Sequence, residues 1–123
     1  MISPVNSTTM DLRSAWRHER ADARGARRSA DTAREWHHLE RAHILSQPAA
    51  GLHVRTHLAM LAFAIRNRQL REVAGQVGRA LLAAPGSWTG RYPLGNTGGA
   101  AVSAFEPMQV PADLCPILGL SPS

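Results

Sequence analysis

Residues 36–60 read WHHLERAHILSQPAAGLHVRTHLAM, and the punctuation of this stretch decides the fold. Trp36, Leu39, Glu40, His43 and Gln47 recur at three- and four-residue steps, the spacing of one helix face. Pro48 has no backbone N–H and stops that helix. After the short PAAG link a helical pattern resumes from about Gly51 to Asn67. There Val54, Leu58, Leu61, Ala62 and Ile65 form an apolar arc, and His53, His57, Met60 and Ala64 line one side of it. Helix, short break, helix is the pattern of an antiparallel αα-hairpin.

The reading extends in both directions. Upstream, Asp11 stands as an N-cap, after which Leu12, Trp16, Glu19, Ala23, Ala26 and Ala30 share one face opposite Arg17, Arg24 and Arg28. Glu19 is a carboxylate inside that apolar stripe. The run DTARE, residues 31–35, predicts a helix start at Asp31 or Thr32 in a capping box, with Glu35 reaching back. Downstream, a fourth helix is predicted from Gln69 to Ala84. Its Leu70, Val73, Ala74, Val77, Leu81 and Ala84 oppose Glu72, Gln76 and Arg79, and Pro85-Gly86 is expected to end it. The remainder is rich in Pro and Gly, which predicts an irregular cover packing Trp88, Tyr92, Phe105, Met108 and Leu114 over the helices.

The expected class is therefore all-α, in one domain: a flexible leader at 1–10, a helical core at 11–84 and an irregular segment at 85–123. About four amphipathic helices form antiparallel αα-hairpins, closed as a bundle or stacked in a tetratricopeptide-like way. The helix spacings do not reproduce a regular repeat of about 34 residues.

Charge and composition restrict function. All fourteen basic residues are arginine, against nine acids, for a net charge of +5. Arginine-rich surfaces suggest nucleic acid. Here no aromatic platform lies between the arginines and no groove-reading motif is present. They read instead as a solvated helix surface, and nucleic acid is not an expected partner. No run approaches the roughly 18 apolar residues of a membrane span, and residues 1–22 lack the apolar core of a secretory signal. The single cysteine, Cys115, cannot close an internal disulfide. Together these features predict a cytoplasmic protein without a membrane partner, open to self-association or to another protein.

The runs WHHLERAHILSQ, HVRTHLAML and REVAGQVGRALLAAPGSWTGRYPLGNTGGAAVSAFEPMQVPADL resemble a bacterial small-protein family, the domain of unknown function 3703. The resemblance spans about Asp31 to Leu114, with LERAH and GNTG…FEPM…P as its most specific parts. It implies a short, soluble, mostly helical protein and no particular activity.

Five of the six histidines lie within residues 36–60. Glu40 and His43, three apart, project from one helix face, the Glu-x-x-His element of di-iron bundles. His53 and His57 are one turn apart. A proline-broken hairpin would set the two pairs opposite each other. Glu40, His43, His53 and His57 are therefore the candidate ligands for one divalent transition metal: Zn, Fe, Mn, Ni, Co or Cu. Met60 and Glu19 are candidate additions, Met60 as a soft ligand and Glu19 as a carboxylate ligand or an outer partner of an imidazole. The same side chains would equally serve as a hydrogen-bonded polar core. The full paired motif of a di-iron bundle, with copies on two helices, is not present, and there is no H-E-x-x-H. His18, His37 and His38 fall off these faces and read as solvated. A weaker candidate is the GNTGG turn, where Arg91, Asn96, Thr97 and Gly98 could cradle an anion. No catalytic residues are legible, so storage, sensing or delivery of a metal is the leading reading. A metal-free αα-hairpin interaction module is the alternative.

Overall fold

A computed structural model describes residues 10–103 and 105–121; most of the expected leader falls outside them. Four helices follow one another: α1 (Leu12–Arg28), α2 (Thr32–Ser46), α3 (Ala50–Arg66) and α4 (Leu70–Thr89). Among the described residues there is no strand, and those after residue 90 form turns, bends and irregular chain. The helices pack in chain order, α1 on α2, α2 on α3 and α3 on α4, and α1 does not meet α4.

Local chemistry sets the helix ends. The Asp11 carboxylate accepts from the Ser14 N–H at 2.9 Å and Asp31 accepts from Arg34 at 3.1 Å, as N-caps should. The α1–α2 and α3–α4 turns each pass through a left-handed non-glycine residue, Ala30 and Arg68. In both, the following N–H closes back onto the helix, from Asp31 to the Ala26 carbonyl and from Gln69 to Ala64, at 2.9 Å. These closures reverse the chain within a few residues.

Glu35 does not reach back as a capping-box residue. It is buried and pairs with Arg66 of α3 at 2.7 Å, because a carboxylate in the interior needs a cation more than the already capped helix needs a second acceptor. Nor does α4 end at Pro85. It continues to Thr89 and closes at Gly90, whose φ of 70° lets its N–H and that of Arg91 return to the last carbonyls. Proline forfeits one helix hydrogen bond, but Pro85 lies on the exposed side of α4.

The core forms three apolar clusters. Ala15, Ile44, Leu45 and Leu114 pack under the C-terminal segment. Ala23, Leu39, Met60 and Phe63 hold α1, α2 and α3 together, as do Trp16, Ala42 and Leu52. The apolar arcs expected on α3 and α4 do not face this interior. Leu58 and Ile65 are at least half exposed, as are Leu70, Leu81 and Trp88, and Val77 is nearly so. The buried side of α3 is the stripe of His53, His57, Met60 and Ala64, and that of α4 includes Gln76, Ala83 and Ser87. Polar side chains can be buried there because each finds a partner across the hairpin. Of the expected cover residues Leu114 is buried and Tyr92 partly so, whereas Trp88 and Phe105 are exposed.

Candidate metal centre

The α2–α3 hairpin brings His43, at the inner end of α2, against His53 and His57, one turn apart on α3. The Nε2 atom of His43 lies 3.0 Å from that of His57 and 3.1 Å from that of His53, and the latter two are 3.2 Å apart. The three nitrogens form a nearly equilateral triangle. All three residues are buried, at 3, 6 and 2% exposure.

The outer nitrogens decide which atoms carry the protons. Nδ1 of His43 lies 2.7 Å from the Asn96 carbonyl, which only accepts, so it must donate. Nδ1 of His53 lies 2.9 Å from Ser87 Oγ, whose own proton goes to the Gln47 carbonyl. His53 therefore donates as well. Nδ1 of His57 faces Gln76 Oε1. The Gln76 amide cannot be turned round, because its NH₂ donates to Glu72 and to the Gly98 carbonyl, both at 2.7 Å. With every Nδ1 a donor, each neutral ring points a bare Nε2 lone pair into the same small space.

Charging the rings offers no easy relief. Burial pushes the pKa of His43 well below its ordinary value, helped by the neighbouring imidazoles. Burial is also the main reason His53 and His57 fall to about 4, with His57 adding to the shift of His53 and Arg79 to that of His57. The triad is therefore neutral at pH 7: three acceptors in contact and no proton between them.

Three elements hold the triad in place. Asn96 turns the 95–99 loop inward, its amide donating to the carbonyls of Ser103 and Glu106 while its oxygen accepts from the Gly98 N–H. Gln47 donates to the Pro93 carbonyl and accepts from the Gly95 N–H. Glu72 accepts from the Ala100 N–H. The last turn of α4 brings in Ser87. The cavity at the triad measures about 80 Å³, and its walls include Arg79, Arg91, Tyr92 and Phe105.

The other expected site residues lie elsewhere. Glu40 sits with Trp36, Phe63, Glu72 and Thr97 at a different surface hollow. Its carboxyl is raised, chiefly by burial and further by Glu72, against the lowering effect of a Thr97 hydrogen bond. It is not among the ligand atoms that converge on the triad. Met60 is fully buried in the apolar cluster with Phe63. Glu19 bonds His38 Nδ1 at 2.7 Å and Arg41 Nε at 2.8 Å, and groups with His38 and Asp22 apart from the triad. His38 is thus a half-buried partner of Glu19 rather than a solvated side chain, while His18 and His37 are exposed. In the glycine loop the N–H groups of Gly95 and Gly98 are taken by Gln47 and Asn96, and Thr97 turns toward Glu40. Arg91 alone of that candidate set stands exposed, at the cavity rim.

Sequence reasoning missed Gln76 and Ser87, and it singled out Asn96 for an anion rather than for the ring of His43. Gln76 was read as solvent-facing, and Ser87 lay beyond the expected end of α4. A glutamine in phase with the buried Ala83 of α4 was the available signal.

Comparison with known proteins adds a family and no activity. Among the curated proteins and the solved structures nothing matches this chain. The match to a family model begins before α1 and runs past Leu114, so the chain belongs, over residues 10–118, to the family described as protein of unknown function (DUF3703).

Proposed function

We propose that this protein binds one divalent transition-metal ion through the Nε2 atoms of His43, His53 and His57, in storage, sensing or delivery of that ion. The observation that carries the reading is the set of three converged lone pairs, each fixed by a hydrogen bond on the opposite side of its ring. An imidazole ligand commonly donates its second N–H to such an outer acceptor, which sets both tautomer and orientation. Without a cation, the same arrangement is three mutually repelling acceptors in a buried site.

The dimensions suit a small tetrahedral ion. Metal–nitrogen bonds of about 2.0–2.1 Å to three corners of a tetrahedron require nitrogens roughly 3.3–3.4 Å apart, within a few tenths of an ångström of the observed triangle. Zinc or cobalt fits best, with copper and nickel as competitors of high intrinsic affinity. A cavity of about 80 Å³ leaves little room for a substrate, since small-molecule sites run to roughly 300 Å³ or more. That favours holding the ion over turnover.

Elemental analysis of untagged protein, purified without a chelating column, tests the reading. One equivalent of metal is expected, and a higher melting temperature when the stripped protein is reloaded. His43→Ala and His53→Ala should each abolish the gain. If Zn, Co, Ni, Cu, Mn and Fe(II) all fail to raise the midpoint, the reading is wrong.

One further observation favours a second reading, self-association. The α3–α4 hairpin exposes Leu58, Ile65, Leu70, Val77, Leu81 and Trp88, and helical phase places the four from α4 on one side of that helix. Soluble monomers seldom expose contiguous apolar patches beyond about 300–600 Å², while a standard interface covers about 800 Å² on each partner. A second copy packed against the same stripe of α4 would cover Leu70, Val77, Leu81 and Trp88. Light scattering behind size exclusion should give a dimer mass for the wild type and a monomer for Val77→Glu/Leu81→Glu. A monomeric wild type at high micromolar concentration would eliminate this reading.

A further inference from the structure

The three imidazoles lie on one side of the proposed ion, and three nitrogens do not complete its coordination. What fills the fourth position can be argued from charge. Neutral imidazoles bring no negative charge, so a divalent ion held by them alone would be a buried dication, which is strongly unfavourable unless compensated. Glu72, the nearest carboxylate in the hydrogen-bond chain, is one residue removed, behind Gln76. The cavity walls make the imbalance worse, because they include two arginines, Arg79 and Arg91. Among the described residues neither forms an ion pair. Arg79 donates through Nη2 to the neutral Val102 carbonyl at 2.8 Å, and its Nε is buried without a partner.

We infer that the fourth position takes a small anion of a few heavy atoms, bound on one side by the metal and on the other by the guanidinium groups of Arg79 and Arg91. This rests on the metal reading above. The anion supplies the negative charge that the imidazoles lack, and it offers Arg79, whose Nε has no partner, a charged acceptor. Guanidinium donors suit planar oxyanions because two N–H groups can meet two oxygens. The cavity of about 80 Å³ has room for an anion the size of hydroxide, azide or bicarbonate. Tyr92, Leu82 and Phe105 at its rim limit what else can enter.

Cobalt(II) tests the inference, because its visible bands respond to a change in the fourth ligand. Metal-free protein is loaded with one equivalent of Co(II), then titrated with azide and, separately, with bicarbonate. Each is expected to shift the bands saturably. Arg79→Gln should weaken the apparent anion affinity at least tenfold, and Arg91→Gln, at an exposed position that poses no folding risk, severalfold, with Co(II) stoichiometry measured in every sample. Stoichiometric Co(II) whose spectrum ignores both anions overturns the inference while leaving the metal site standing. So do anion affinities that are equal in the wild type and in a folded Arg79→Gln/Arg91→Gln double variant. Failure of the wild type to take up Co(II), or any other metal, overturns the metal reading itself.

Discussion

Gly98 lies against the ring of His43 so closely that a Cβ added to it would stand 2.6 Å from the ring's Cγ and Cδ2 atoms, and its φ of +87° is one that side-chain-bearing residues rarely adopt. The glycine loop, which looked like an anion cradle in the sequence, is the wall that sets the tilt of a candidate ligand. Gly98→Ala should therefore combine backbone strain with a clash against a ring that cannot move. A loss of about 2–4 kcal/mol is expected, with metal affinity reduced more than tenfold. Gly90→Ala is the control, since Gly90 also has positive φ but nothing within 4 Å of its added Cβ. It should carry strain alone, about 1–2 kcal/mol, with metal binding intact. Equal effects of the two, measured by denaturant unfolding and metal titration, would show that the contact with His43 is unimportant.

The outer hydrogen bonds of the triad should be measurable as metal affinity. Ser87→Ala removes the acceptor for His53 and the donor to Gln47. Gln76→Ala does the same for His57 and the Gly98 carbonyl. Each should lower affinity by about 10–100-fold while retaining one binding site per chain. Unchanged affinity in both would mean that these bonds do not orient the rings.

Glu40→Gln separates the ligand set expected from spacing from the one assembled by the fold. Burial raises the Glu40 carboxyl and the charge of Glu72 adds to this, so at neutral pH the folded state bears the cost of an ionised group that the unfolded state does not. Removing that charge should leave stability unchanged or improved at pH 7, with the benefit vanishing in acid, where the carboxyl is protonated in both states. Metal affinity should stay within about twofold, on the view that three imidazoles suffice as protein ligands. Loss of binding in the glutamine variant would restore Glu40 as a ligand.

Acid should unfold the metal-free protein through the triad. His53 and His57 have pKa values near 4 in the folded state against 6.5 for the free side chain, and His43 is also lowered well below its ordinary value. The titratable and charged groups that shift them are one another and the permanently charged Arg79, all of which oppose protonation and, with burial, outweigh the hydrogen bonds to Asn96 and Gln76. Between pH 6.5 and about 4 the unfolded chain binds protons that the folded chain refuses, so folding stability falls as pH falls through that window. Denaturant midpoints should drop steeply between pH 7 and 4.5. Bound metal should preserve the midpoint to lower pH, because the ion competes with protons for the same lone pairs. A flat profile for the metal-free protein over this range would contradict a buried, neutral triad.

Residues 36–60 carry enough local information to specify a helical hairpin. Pro48 must interrupt the helix, and the spacing of His43, His53 and His57 places all three near the break whatever the rest of the chain does. Asp11 and Asp31 likewise cap their helices through contacts three residues away. These features are local, and so they are legible in one dimension. The apolar stripe of α4 and part of that of α3 face outward, because periodicity finds a stripe without saying what covers it. Burying Gln76 and three imidazoles is tolerable only when Ser87, Gly98 and Asn96 arrive from distant parts of the chain to satisfy them. Glu40 shares its helix face with His43 by spacing, yet the 95–99 loop separates them, drawing His43 to the Asn96 carbonyl and Glu40 to Thr97.

The sequence by itself determined the four helices, most of their ends and the histidines that could meet, because caps, proline breaks and helical phase act over a few residues. Only the tertiary structure decided which nitrogens carry protons. That choice is made by a carbonyl at Asn96, a hydroxyl at Ser87 and an amide at Gln76, which lie 53, 34 and 19 residues away from the rings they hold.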